Sequence, residues 1–211
     1  MYTTKFPLLF NALVHCMNDE RDLITGQYNI NHLYSKLHPQ LIASSPALTI
    51  GYSYKYKQRF PLGEPSLLEN PSYVYFYLSN LSIVGNHEQE KVIATSDVYS
   101  HAYAMHILKN RFPLGEPIIA TRARESFNYA LTILKSRFEL GEAIIATDPY
   151  YAYNYAIHVL NDRFELGELT IQRNPEFCTK YIEFLQTKYS IDKQNKASSV
   201  LENIITSDRL L

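Results

Sequence analysis

Apolar residues recur at helical spacing in the middle of this chain, between short polar segments. In 149–161 they form one stripe along a helix. The stripe consists of Tyr151, Tyr155, Ala156, Val159 and Leu160. Asp148 is placed to cap this helix and Pro149 suits its first position, while a shorter apolar run, 141–147, comes before the cap. The pattern predicts a hairpin of one short helix and one longer helix that ends at about Asn161.

The hairpin recurs with a period of 26 residues, marked by the motif Arg-Phe-Glu/Pro-Leu-Gly-Glu. Clear copies of the motif begin at Arg59, Arg111, Arg137 and Arg163. The spacing predicts one more copy from Gly85, where the motif is degenerate but 91–95 realigns with the other copies. Because a single hairpin cannot bury its own apolar face, the copies must stack on one another. We therefore predict an all-α fold, an α-solenoid of stacked helix-turn-helix repeats.

The repeats predict three segments along the chain. These are an N-terminal helical region with degenerate repeats, 1–58; five tandem repeats, 59–188; and a linker with a C-terminal capping helix, 189–211. Within the first segment, roughly 34–58 matches a repeat in which the second helix is one residue shorter, and Leu23 starts a weaker copy. The capping helix is predicted over 193–207.

The charge balance argues against a global electrostatic partner. The chain has 20 basic and 21 acidic residues, a net charge of -1, so no overall field attracts nucleic acid or an anionic membrane. The two cysteines, Cys16 and Cys178, are far apart in sequence and form no disulfide framework, which favours a reducing compartment. The apolar segment from Phe6 to Met17 lacks the flanks and cleavage site of a signal peptide. We expect a cytoplasmic protein, in the host cytoplasm if it is viral.

Two charged columns recur among the copies, an arginine at the first motif position and a glutamate at the sixth. They are Arg59, Arg111, Arg137 and Arg163, with Glu64, Glu90, Glu116, Glu142 and Glu168. One interpretation is a structural Arg/Glu ladder that runs across successive repeats and also bonds loop and helix-terminal backbone groups. The other is a row of guanidinium groups that binds an anion. The paired glutamates favour the structural ladder.

A tyrosine column lies on the buried stripe of the second helix. It comprises Tyr77, Tyr103, Tyr129, Tyr155 and Tyr181. Each ring is expected to pack in the core or between repeats, with its hydroxyl group bonded to a backbone group.

A second aromatic column lies off that stripe. It comprises Tyr75, His101, Phe127 and Tyr153, and Tyr150 is grouped with it. If exposed, these rings form a contact surface, since tyrosine offers large area at low entropic cost. If buried, they pack between helix layers. The sequence leaves both readings open.

The copy from Gly85 departs most from the repeat pattern. It lacks the arginine, the phenylalanine and the glycine of the turn, and it places His87 in the loop. One hypothesis centres the binding surface on 59–110, with Tyr75, His101 and Phe127 as the main contacts. The alternative is drift in a solvent-facing loop.

No pattern in the sequence indicates catalysis. Phosphate-binding loops, nucleophile motifs and Cys/His metal constellations are missing. His106 and His158 share a repeat column but are two repeats apart, too distant to bind one metal ion. We expect no enzymatic activity, no cofactor and no metal.

The unit from Asp148 to Glu168 resembles a short helical repeat found in poorly characterised proteins of tailed bacteriophages and large DNA viruses. The resemblance covers roughly 59–188 and implies a repeat architecture and a viral origin. It carries no activity and no site residues.

Two functions fit these observations. The leading hypothesis is a scaffold that binds a protein partner, in a viral setting an inhibitor of a host defence protein. The alternative is binding of a nucleotide or a single-stranded nucleic acid through the tyrosine and arginine columns. The lack of basic excess argues against polynucleotide binding.

Overall fold

The computed structural model describes residues 37–190, and this part of the chain is helical without a strand. The predicted all-α fold is therefore confirmed. Packing divides the chain into two compact units, Met1–Ile93 and Ala94–Leu211. The division falls between the two helices of the copy from Gly85. The predicted copy at Leu23 and the capping helix at 193–207 lie outside the described residues.

Five helices form the described part of the first unit. They are α1 (Pro39–Ala43), α2 (Pro46–Tyr56), α3 (Glu64–Leu67), α4 (Pro71–Leu81) and α5 (His87–Ile93). The degenerate repeat predicted at 34–58 is present as the hairpin of α1 and α2. Helix α4 packs on α2, its counterpart in the preceding repeat, and α5 packs on α4.

Seven helices form the described part of the second unit. They are α6 (Asp97–Tyr103), α7 (Glu116–Ile119), α8 (Ala123–Tyr129), α9 (Glu139–Ile145), α10 (Pro149–Tyr155), α11 (Glu168–Gln172) and α12 (Pro175–Ser190). Each second helix contacts the second helix of the next repeat, α6 with α8, α8 with α10 and α10 with α12. Neighbouring repeats in this unit therefore pack directly on each other. The solenoid path of the whole array stays a prediction.

Asp148 caps its helix as the sequence predicted, and equivalent residues cap three other second helices. The side chains of Asn70, Ser96, Asp148 and Asn174 each accept a hydrogen bond from a backbone N–H of the following helix. In the remaining full copy Arg122 stands at this position and makes no capping bond. Its Nε instead lies 2.7 Å from Oδ2 of Asp97 in the preceding repeat.

The core repeats with the sequence. One aliphatic residue of each first helix is at most 1% exposed, and these residues are 26 positions apart. They are Leu67, Ile93, Ile119, Ile145 and Ile171. The tyrosine column is equally buried, at most 3% exposed in all five copies. The prediction that this column belongs to the core is confirmed.

Three second helices end in a π-helical turn that the sequence pattern did not predict. The turns are Ala104–Leu108, Ala130–Leu134 and Ala156–Leu160, directly after α6, α8 and α10. A π turn accommodates one extra residue in a helix. The residue after each turn, Lys109, Lys135 or Asn161, adopts the left-handed conformation with φ between 47° and 52°. A left-handed residue ends a helix, and glycine is its usual occupant.

Candidate functional site

The motif loop at 137–142 is held together by hydrogen bonds within one repeat. Arg137 donates from Nε and Nη2 to the two carboxylate oxygens of Glu142, at 2.9 and 2.8 Å. The hydroxyl of Tyr155 donates to Glu142 Oε1 at 2.9 Å and accepts from the backbone N–H of Phe138 at 2.8 Å. Loop, first helix and second helix of the repeat are thereby joined at one carboxylate.

The same arrangement recurs in the other three clear copies. The triplets of arginine, glutamate and tyrosine are Arg59, Glu64 and Tyr77; Arg111, Glu116 and Tyr129; and Arg163, Glu168 and Tyr181. Each tyrosine also accepts the N–H of its loop phenylalanine, which confirms the expected bond to a backbone group. Burial raises the pKa of Tyr77 and Tyr129 to about 12, so both hydroxyls remain donors at neutral pH.

The ladder across successive repeats was wrong in its connectivity. Every arginine of the column pairs with the glutamate five residues later in its own loop. The five-residue spacing lets the side chain fold back over its loop in a fork-to-fork contact. Because all four guanidinium groups are neutralised in this way, they do not form a row of unpaired cations, as the nucleotide-binding alternative requires.

The motif glycine makes room for close packing with the preceding repeat. A Cβ atom at Gly141 would lie 2.5 Å from the ring of Phe138 and 2.7 Å from Cβ of Ser126. The Phe138 ring in turn meets Tyr129 of that repeat, with ring centroids 5.2 Å apart. The Ser126 hydroxyl donates a hydrogen bond to the carbonyl oxygen of Ile119. Arginine, phenylalanine, glycine and glutamate of the motif therefore have structural roles.

The leucine of the motif has no comparable role. It is 52%, 43%, 57% and 59% exposed in the four clear copies, Leu62, Leu114, Leu140 and Leu166. Single exposed leucines are ordinary on protein surfaces. Recurrence of one in every clear loop is not explained by packing. Sequence reasoning considered only the charged positions of the motif and missed this column, although an apolar residue kept in each loop is a signal in itself.

In the second unit these leucines lie on adjacent loops. A groove of 1230 Å³ separates the loops of the copies from Arg137 and Arg163, and Leu166 lines it together with Val159, Lys135 and Tyr189. Tyr189 closes one side by donating its hydroxyl to Asp162. We call Leu114, Leu140 and Leu166 the leucine row.

The off-stripe aromatic column is mostly packed between second helices. Phe127 is 6% exposed and its ring lies 6.0 Å from that of Tyr151 in the next repeat. Tyr153 lies 5.4 Å from Phe177 in the same way. Of the two alternatives that the sequence left open, the exposed one is thus wrong for Phe127, because successive second helices approach closely enough to cover it. Tyr153 and Tyr75 are partly buried.

At one junction a histidine and a glutamate replace the two rings. His101 Nδ1 lies 3.1 Å from Oε2 of Glu125, which is 24 residues later like the ring pairs. Glu125 is 3% exposed, and its other oxygen accepts from Arg124 Nε at 2.7 Å. The hydrogen bond from His101 is the main cause that lowers the pKa of the Glu125 carboxyl group. His101 therefore packs between repeats, and it lacks the exposed surface that its predicted contact role requires.

Of the remaining predicted contact residues, Tyr150 and His87 are exposed. Tyr150 is 50% exposed, and its ring leans on Tyr151 and Phe177 at 5.1 and 5.8 Å. His87 is the first residue of α5 in the other unit. Tyr75 and His87 thus belong to the first unit, and the other four predicted contact residues belong to the second.

The divergent loop at 85–90 is closed by neutral side chains. The backbone N–H of Gln89 donates to Oδ1 of Asn86, and the N–H of Asn86 donates to Oε1 of Gln89, both at 3.0 Å. This reciprocal pair is a capping box. Gln89 stands where other copies have glycine, is 1% exposed, and approaches Glu64 of the preceding repeat at 3.5 Å. The loop is thus structurally compensated, which favours the drift interpretation.

Within residues 37–190 no group of three or more His, Cys, Asp or Glu side chains is arranged to hold a metal ion. In the same residues, no helix combines the length and apolar character needed to cross a bilayer. Comparison with protein-family models, curated proteins and solved structures found no match to this chain.

Proposed function

We propose that this chain is a non-enzymatic helical-repeat scaffold that binds a protein partner through the leucine row. The observation that carries the proposal is the recurrence of an exposed leucine in a motif whose other recurrent residues are used internally. Apolar side chains on successive loops expose apolar area to water. A partner that covers this area removes it from water, which is favourable. The groove beside Leu166 adds a concave surface next to the row.

Polar residues around the row support a protein partner over a nucleic acid. Lys109 and Lys135 follow the π turns, whereas Glu139 and Glu165 directly precede their leucines. Apolar contacts framed by charges of both signs are typical of protein interfaces, whose rims are polar. Phosphate backbones instead require a basic excess.

A narrower form of the proposal concerns the identity of the partner. If the chain is viral, as the resemblance implies, the partner we propose is a host protein, and binding would serve to block it. The identity of the captured protein tests this form separately from binding itself.

The test is a pull-down with leucine variants. The triple variant Leu114→Ser, Leu140→Ser and Leu166→Ser is compared with wild type as bait, in lysate of the source organism or its host. A matched control is Leu169→Ser, because Leu169 is 65% exposed but does not recur in other copies. We expect a stoichiometric partner with wild type and the control, and its loss with the triple variant.

Circular dichroism of all three proteins checks that they are folded. Retention of the partner by a folded triple variant would contradict the proposal. So would equal loss of the partner with the Leu169→Ser control.

A further inference from the structure

Charge changes sign along the leucine row. Loop 109–116 has two cations and one anion, for a net charge of +1, and loop 135–142 has two of each, for a net charge of 0. Loop 161–168 has one cation and three anions, for a net charge of -2. In each loop the arginine and the last glutamate bind each other, so the remaining charges set the gradient. These remaining charges are Lys109, Lys135, Glu139, Asp162 and Glu165.

The residues that produce the gradient are available to a partner. Lys109, Lys135 and Glu139 are exposed, and the Glu165 side chain is 79% exposed with one long contact of 3.8 Å to Arg163. Asp162 Oδ1 already accepts hydrogen bonds from the Tyr189 hydroxyl and the backbone N–H of Arg163. The ends of the row therefore differ chiefly by Lys109 and Glu165.

A surface with this order of charges is complementary to itself when one copy is reversed. A two-fold axis through the middle loop pairs Leu140 with the same residue of the second copy and places Leu114 opposite Leu166. The same operation sets the loop of net charge +1 against the loop of net charge -2 on the other copy. Parallel alignment would put like charges together, so the gradient selects the antiparallel arrangement.

We propose that the leucine row pairs two copies of this chain in an antiparallel, two-fold symmetric dimer, with Lys109 of each copy facing Glu165 of the other. This inference rests on the proposed function, since it uses the same row and names a second copy as its partner. Three half-exposed leucines a side cover less than the roughly 800 Å² per partner of a standard stable interface. The dimer is accordingly weak, concentration-dependent, and weakened by salt.

The experiment is sedimentation velocity from about 1 to about 200 µM protein, at low and at moderate ionic strength. Wild type is expected to shift from monomer to dimer across this range, and Leu140→Ser to remain a monomer. Leu169→Ser, outside the row, is expected to behave as wild type.

Charge reversal tests the antiparallel register. Lys109→Glu alone and Glu165→Lys alone each place two like-charge contacts in the dimer and are expected to weaken it about tenfold. The double variant restores both contacts with exchanged signs and is expected to dimerise as wild type does. A parallel dimer, or one formed elsewhere, gives no such recovery.

Two results would overturn the inference. One is a wild-type protein that stays monomeric over the whole concentration range. The other is a dimer in which the double charge variant is no stronger than the single variants. Either outcome leaves the pull-down intact as a test of the proposed function, because a different protein captured through the row appears there as a separate band. If the folded triple leucine variant behaves as wild type in both assays, both proposals fall.

Discussion

The loops at 137–142 and 85–90 begin equivalent helices in two different ways. The first loop gathers an arginine, a tyrosine and a buried carboxylate, and needs glycine so that a phenylalanine ring fits beneath it. The second lacks the arginine, the phenylalanine and the glycine, keeps the glutamate and the tyrosine, and begins its helix with a capping box of two amide side chains. The start of the helix is thus a requirement that more than one set of residues satisfies. The consensus loop is tied to its second helix through the tyrosine, whereas the divergent loop adds a helix cap of its own and an amide contact to Glu64.

The largest expected effect comes from removing the tyrosine on which the consensus loop depends. Tyr155→Ala should lower the free energy of unfolding by about 3–5 kcal/mol, because it truncates a buried aromatic residue. Tyr155→Phe should cost about 1–2 kcal/mol, because the N–H of Phe138 loses its acceptor. Tyr150→Ala, on the exposed face, should cost under about 1 kcal/mol. Denaturant titration measures all three, and equal stability of the two alanine variants would show that the structure assigns the faces wrongly.

Replacement of the motif glycine tests directly how the two loop types differ. Gly141→Gln should cost about 3 kcal/mol, because even its Cβ lies within 2.8 Å of Phe138 and Ser126. Glutamine at the equivalent position 89 is tolerated because no phenylalanine ring stands at position 86. A stable Gly141→Gln protein would mean that the loop can repack, and that the glycine is not required by sterics.

Removal of the amide box should have a smaller effect. Gln89→Ala takes away the acceptor for the N–H of Asn86 and should cost about 1–2 kcal/mol, as expected for a lost helix cap. Asn86→Asp is the matched control, since it keeps an acceptor at the cap. Thermal unfolding compares them, and the box is unimportant if Gln89→Ala melts with wild type.

Acid should destabilise the consensus loop, because the acceptor at its centre is a carboxylate that can be protonated. The hydrogen bond from Arg59 is the main cause that lowers the pKa of Glu64 below its ordinary value of 4.5. Its stabilising contribution is present above pH 4.5 and is lost as pH falls through the lowered value. Glu64→Gln should therefore flatten the loss of stability below about pH 4.5 by up to one proton. Leu169→Ser, a surface change outside this network, should leave that slope unchanged, and a parallel decline of all three proteins would refute the assignment.

The smallest expected effect is a gain in stability. Lys135 adopts φ of 52°, where a Cβ atom is unfavourable and glycine is not. Lys135→Gly should raise the free energy of unfolding by about 0.5–1 kcal/mol, with Lys135→Ala close to neutral. A loss of stability in the glycine variant would show that the lysine side chain contributes contacts of its own.

The hairpins, their caps and the buried tyrosines could be predicted because each depends on spacing along one segment. The 26-residue period places Asp148, Pro149 and Tyr155 correctly without knowledge of the neighbours. Periodicity does not reveal how near two second helices come, and so the sequence left open whether Phe127 is exposed or buried. The π turns were not predicted for a related reason. The repeat period gives the number of residues in each copy, and it does not show whether those residues form α or π turns.

Prediction of the candidate site was less successful, because a residue can recur in every copy either for the fold or for a contact with a partner. Arg137 and Glu142 recur for a structural reason within one loop, and spacing alone did not distinguish this from pairing between loops. Leu140 recurs in the same motif and is exposed. Only the contacts in the structure separate the residues that the fold requires from the one that it does not use.

Each network of arginine, glutamate and tyrosine lies within a single repeat, and this has a consequence for the gene. Loss or gain of 26 codons in frame leaves every such network whole, so the array can change length by recombination between its copies. Junctions limit this freedom. Removal of the copy from Arg137 brings Phe127 next to Phe177, an aromatic pair like those already present. Removal of the copy from Arg111 separates His101 from Glu125 and sets the histidine against a tyrosine, so this boundary fixes the order of its two neighbours.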